Sequence, residues 1–182
     1  SPDEIHATGL AEVDRIEGEM LDILDSQGIA GESFAERVRT VMEDPAHQFP
    51  NTDVGRADMI AYLEDFDRRV MAISADYFIT IPPQPLEIVR VPEYSQDSSP
   101  GGYYNGPALD GSRPGRFYIN LKQTADNPRW TLPTLMIHEG SPGHHFQIST
   151  SQLIEGVPLL RRLSPFSAFS EGWALYSERI AK

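Results

Sequence analysis

No cysteine occurs in the 182 residues. Disulfides, thiolate zinc fingers and cysteine nucleophiles are therefore excluded, and any metal must be held by nitrogen and oxygen. The missing thiols also leave the redox compartment open. No apolar run approaches the roughly 20 residues that a membrane-crossing helix needs. Positive charge is scarce: 15 Lys and Arg stand against 27 Asp and Glu, for a formal net charge of -12. That balance repels a phosphate backbone and argues against a nucleic-acid partner. What remains is an ordinary globular composition, 40% hydrophobic. Residues 1–182 are long enough for one domain with a real core. Composition sets no oligomeric state.

Residues 1–80 read as helical scaffold. Ser1, Pro2 and Glu4 form a helix start, with a Ser cap, Pro in the first turn and Glu three residues on. Leu10, Val13, Met20, Leu21 and Leu24 follow at near-helical spacing until Gly28, with Asp14, Glu17, Asp22 and Asp25 on the other face. Ser33 and Glu36 make a second candidate capping box, and Ile60, Leu63, Phe66, Val70 and Ile73 mark a third helix. Residues 81–131 are rich in proline and glycine, with two strand-like stretches at 86–91 and 116–121. Residues 132–182 return to helical patterns, interrupted around Gly156-Val157-Pro158 and Ser164-Pro165. Lys182 falls within a helical pattern without a stop signal, as expected of a fragment from the central part of a longer protein. The fold class expected is α+β, predominantly α-helical, with a small sheet or hairpin.

Three of the five histidines lie between positions 138 and 145, directly after the apolar stretch 132–137. An ionisable His138-Glu139 pair at the end of a buried helix is costly to desolvate without a partner, and a divalent cation on neutral imidazole supplies one. Zinc suits imidazole and carboxylate, and Glu139 beside a ligand is placed to be the base for a water. The usual His-Glu-x-x-His spacing is broken, because Pro142 stands where the second histidine belongs. Pro142 removes a helical hydrogen bond and collides with the preceding turn, so the helix must distort inside the motif. If two residues loop out, His144 reaches the position one turn beyond His138. In an unbroken helix His145 shares that face but lies about 10.5 Å along the axis. The argument favours His144, with His145 as the alternative. The bland alternative is one buried histidine and two on the surface.

The remaining ligand is sought in Ser170-Glu171-Gly172-Trp173-Ala174-Leu175-Tyr176-Ser177-Glu178. Phe169, Trp173, Tyr176 and Ile180 line one side at helical spacing, read as core packing, and Glu171, Ala174, Leu175 and Glu178 line the other. Small Gly172 and Ala174 would permit close approach to the histidine helix. Glu171 is the first candidate carboxylate and Glu178 the reserve, although Glu171 also suits the first turn of a helix for dipole reasons alone. Tyr103, Tyr104 and Tyr118 are the nearest phenols in sequence for an oxyanion, but packing explains each equally well.

The run His138-Glu139-Gly140-Ser141-Pro142-Gly143-His144-His145-Phe146-Gln147, followed by Glu171-Gly172-Trp173-Ala174-Leu175-Tyr176-Ser177-Glu178-Arg179, resembles the bacterial domain-of-unknown-function 885 family, grouped with gluzincin-like zinc peptidases. The opening residues 1–6, the stretch 90–93 and Phe117-Tyr118-Ile119-Asn120 carry the same resemblance. It implies zincin-like helices on which His138, a histidine of the Gly-His-His run and Glu171 bind Zn2+. It further implies an edge strand that aligns an extended substrate by main-chain pairing, which 116–121 could supply, the alternative being plain core sheet. The expected activity is hydrolysis of a peptide or other small amide, with Glu139 as general base toward a zinc-activated water and then proton donor to the leaving amine. Rival readings are a non-catalytic peptide- or partner-binding module with absent or structural metal, and a metallohydrolase of esters. Members of this family are usually much longer and often exported or lipid-anchored, which tilts the expected location toward an extracytoplasmic one.

Overall fold

The computed structural model describes residues 1–163 and 166–181; the expected interruption at Ser164-Pro165 and the chain end at Lys182 lie outside the described residues. The described residues form seven α-helices and one three-stranded sheet, a predominantly helical α+β protein. The chain divides into two compact units, Ser1–Gln48 and Phe49–Lys182.

The first unit holds α1 (Pro2–Ser26) and α2 (Phe34–Glu43). Ser1 caps α1 in a complete capping box with Glu4, and the helix ends before Gly28, whose φ of 69° suits glycine alone. The second box closes only halfway. Ser33 Oγ accepts from the Glu36 N–H, but the Glu36 carboxylate turns to the N–H of Glu32. Leu10 and Val13 are exposed, and Leu24 is the buried residue of α1, so the apolar stripe is mostly unused within this unit.

The second unit begins with α3 (Asp53–Tyr77), capped by Thr52, whose hydroxyl accepts from the Gly55 N–H. Three strands follow: β1 (Leu86–Arg90), β2 (Gly102–Asn105) and β3 (Gly115–Ile119). Their order is β1-β3-β2, with β3 parallel to β1 and antiparallel to β2. Alternation decides the two faces of β3. Phe117 and Ile119 point to a core shared with Ile88, Met59, Leu63, Leu132 and Met136, all buried. On the opposite face Tyr103 and Tyr118 stack at 4.8 Å, and Arg116 Nε donates to Glu87 at 2.8 Å. Strand β2 carries no alternation of its own and is not predicted by the sequence. Because β3 is central, both of its edges are already paired. It is core sheet, the second of the two readings of 116–121, and not a substrate-aligning edge.

Helix α4 (Leu132–Glu139) lays Leu132 and Met136 into that core, with Leu135 packed against it, and α5 (His144–Leu153) begins after a four-residue break. Beyond Gly156 come the short α6 (Leu159–Leu163) and then α7 (Ser167–Ile180). The buried side of α7 is Ser170, Ala174 and Ser177, while Phe169, Tyr176 and Ile180 are exposed. Apart from the half-buried Trp173, the aromatic stripe read as core is therefore exposed. Small residues, not large ones, let α7 approach α4, although a Cβ on Gly172 would meet only open space.

Candidate metal centre

The break between α4 and α5 is built from residues that cannot continue a helix. Gly140 leaves the helical region, Ser141-Pro142 is a cis peptide, and Gly143 has its Cα pressed against the end of α4. A Cβ at Gly143 would lie 2.0 Å from the His138 carbonyl oxygen, so glycine is required there by lack of space. The break is held from several sides. The His145 N–H donates to the Gly140 carbonyl at 3.1 Å, rejoining α5 to the end of α4. From α7, Trp173 Nε1–H donates to the Pro142 carbonyl at 2.9 Å, and Ser177 Oγ lies 3.4 Å from the same oxygen.

This geometry brings His138, His144 and Glu171 together, with one ligating atom from each within 4.8 Å of the others. His138 Nε2 is 3.4 Å from Glu171 Oε2, and His144 Nε2 is 3.8 Å from Glu171 Oε1. Ligands about 2.0–2.1 Å from one tetrahedral ion stand roughly 3.3 Å apart, so these separations suit a shared zinc. The donor set, two imidazoles and one carboxylate, is also chemically suited to it. His138 is oriented by Glu178, whose Oε1 lies 2.7 Å from Nδ1 and leaves Nε2 facing the cluster. Ser170 Oγ stands 3.5 Å from His144 Nδ1, at the limit of a hydrogen bond. Burial holds His144 below the usual histidine range, with His138 adding to the effect, which favours the neutral, ligating form. The Glu171 side chain is 54% exposed, so the cluster is open to solvent on that side.

Glu139 is buried behind His138, and that burial holds its carboxyl above the ordinary carboxylate range. The nearby Glu171 charge acts in the same direction, while His138 and the Tyr104 N–H oppose it. His145 takes no part in the cluster. It is buried at 2% exposure, with Nδ1 2.8 Å from the Tyr104 hydroxyl and Nε2 3.0 Å from the Gln84 carbonyl. Of the three tyrosines considered for an oxyanion, Tyr103 and Tyr118 stack on the far face of the sheet and the Tyr104 hydroxyl is taken by His145. Sequence reasoning missed the contributions of Tyr104 and of the Trp173 indole. Tyr104 lies in a strand without periodicity, and Trp173 reads as one more apolar member of a stripe.

A helical α+β unit with two histidines at a broken helix junction and a glutamate on a facing helix is the class defined by this fold and site. The chain belongs to the family described as "Bacterial protein of unknown function (DUF885)", which matches residues 1–182. A solved structure described as a "putative lipoprotein from Colwellia psychrerythraea" is similar, with 41% identity and a TM-score of 0.95 over 100% of this chain. This chain spans 31% of that protein's length. Comparison with curated proteins gives no match.

Proposed function

We propose that the protein is a zinc-dependent hydrolase of the gluzincin-like type, acting on peptide or other small amide bonds. The observation that carries this reading is the convergence of His138, His144 and Glu171 beside the buried carboxyl of Glu139. Zinc held by that set would lend Lewis acidity to a water and to a scissile carbonyl. Glu139 accepts the proton of the attacking water and returns it to the leaving amine, a role helped by the burial that holds its carboxyl above the ordinary range. Glu178 fixes the ring of His138, and Ser170 lies beside that of His144. The open side at Glu171 is the route by which substrate reaches the site. The similar lipoprotein supports an extracytoplasmic or lipid-anchored setting. Among the described residues no helix is long and apolar enough to cross a membrane.

Metal analysis of protein purified without chelator is the first test, with one zinc per chain expected. The second is Glu139→Gln, which should keep zinc and lose turnover on a panel of peptides with free and blocked termini, by about 10²- to 10⁴-fold. A chain that neither carries zinc nor takes it up when zinc is added would end this reading. Unchanged turnover in Glu139→Gln would instead remove the assigned base.

A further inference from the structure

We propose that Tyr104 is a positioning residue of the metal centre: from the edge strand β2 its hydroxyl holds His145, and so fixes where α5 carries the neighbouring His144. Its consequence for zinc rests on the functional reading above; the positioning itself does not.

The strand phase puts Tyr104 in the right place. The Asn120 N–H donates to the Gly101 carbonyl at 2.8 Å, so the Gly101 pair is a hydrogen-bonded one. Alternation from there leaves the Tyr104 N–H pointing away from β3, on the side where it acts to lower the Glu139 carboxyl pKa. The Tyr104 side chain crosses the same sheet face to α5. Its hydroxyl lies 2.8 Å from His145 Nδ1, whose other ring nitrogen donates to the Gln84 carbonyl. That pairing assigns the proton to Nε2 and makes Nδ1 the acceptor. His145 is next to His144 in α5, and its own N–H is bonded to Gly140 at the end of α4. One side chain of β2 thus holds α5, and through the His145 N–H the start of α5 is tied to the end of α4. The space for the pair exists because position 115 is glycine. A Cβ there would come within 2.4 Å of the Tyr104 hydroxyl and 2.7 Å of His145 Nδ1.

The test compares Tyr104→Phe with Tyr103→Phe, a control whose hydroxyl belongs to the tyrosine stacked on Tyr118. In metal-free protein, side-chain NMR of the histidines should find one set of His144 ring signals in wild type. In Tyr104→Phe those signals should broaden or split, and in Tyr103→Phe they should not change. Zinc affinity, read by competition with a chelator, should fall about tenfold in Tyr104→Phe alone, the lower end of the range for residues that orient ligands. Gly115→Ala, which presses on the same pair without removing either side chain, is the second route if Tyr104→Phe does not fold. Unchanged His144 signals in folded Tyr104→Phe or Gly115→Ala would overturn the proposal whether or not zinc binds. Equal zinc affinity in Tyr104→Phe and wild type would also overturn it. If wild type binds no zinc, the functional reading fails separately and the His144 signals alone decide the positioning role.

Discussion

His138 Nδ1 and Glu178 Oε1 lie 2.7 Å apart, although 40 residues separate them in the chain. The contact joins α4 to the last turns of α7 and gives Glu178 a role distinct from that of Glu171. Glu171 turns its oxygens toward both Nε2 atoms, whereas Glu178 sits on the opposite edge of the His138 ring. With zinc bound as proposed, the two carboxylates of one helix would divide between holding the cation and orienting one of its ligands.

Replacing Glu178 by Ala should therefore weaken zinc binding by about 10- to 100-fold without abolishing it, and Glu178→Gln, which keeps an acceptor, should lose less. Glu171→Ala should be the more severe change. Chelator competition on the three variants checks the ranking, and a Glu178→Ala protein as weak as Glu171→Ala would make Glu178 a ligand instead.

Gly143→Ala should damage both fold and site. Its methyl carbon would be driven against the His138 and Ile137 carbonyl oxygens, 2.0 and 2.2 Å away. Backbone cannot yield as a side chain does, so a loss on the order of 1–3 kcal/mol is expected, together with loss of zinc uptake. Denaturant unfolding and metal titration measure the two effects, and a variant with wild-type values for both would show that the break tolerates a wider approach.

Asp67 on α3 carries a pH dependence of known sign. Its burial holds the carboxyl above the ordinary range, with the Ser141 hydroxyl acting against that shift. The folded state then binds more protons than the unfolded one, so stability falls as pH rises from the unfolded value, about 3.9, through the raised folded value. Asp67→Asn removes the charge and keeps the shape of the side chain. It should melt at a higher temperature than wild type at pH 7, and the advantage should shrink as the pH falls through the raised folded value toward about 3.9. An advantage independent of pH would place its origin in packing.

Phe117 is the test of the sheet assignment. It is fully buried on the central strand, among Ile88, Met59 and Leu63. Phe117→Ala should cost about 3–5 kcal/mol, while Tyr118→Ala on the opposite face should cost less. Equal losses in urea titrations would contradict the inward and outward faces described for β3.

Much of the fold was legible because it depends on neighbours in sequence. Caps, first-turn prolines and apolar periodicity act over one or two turns, so the Ser1 capping box and Leu63 of the α3 core follow from local rules, whereas Ile73 of the same stripe is exposed. The break at Pro142 was legible for the same reason, since a missing N–H is a property of one residue. So was the pairing of His138 with Glu139. What only the tertiary structure decided are the relations between distant segments. Whether β3 is central depends on an unpredicted β2 reaching its free side, and whether α7 buries its aromatic or its small face depends on what surrounds it. The same holds for the motif. Adjacent residues on a helix point about 100° apart, so His144 and His145 had to part company, but which one faces His138 was set by the path of the chain through Gly140 to Gly143. Tyr104 and Glu178 complete that arrangement from 41 and 40 residues away, at contacts no local spacing encodes.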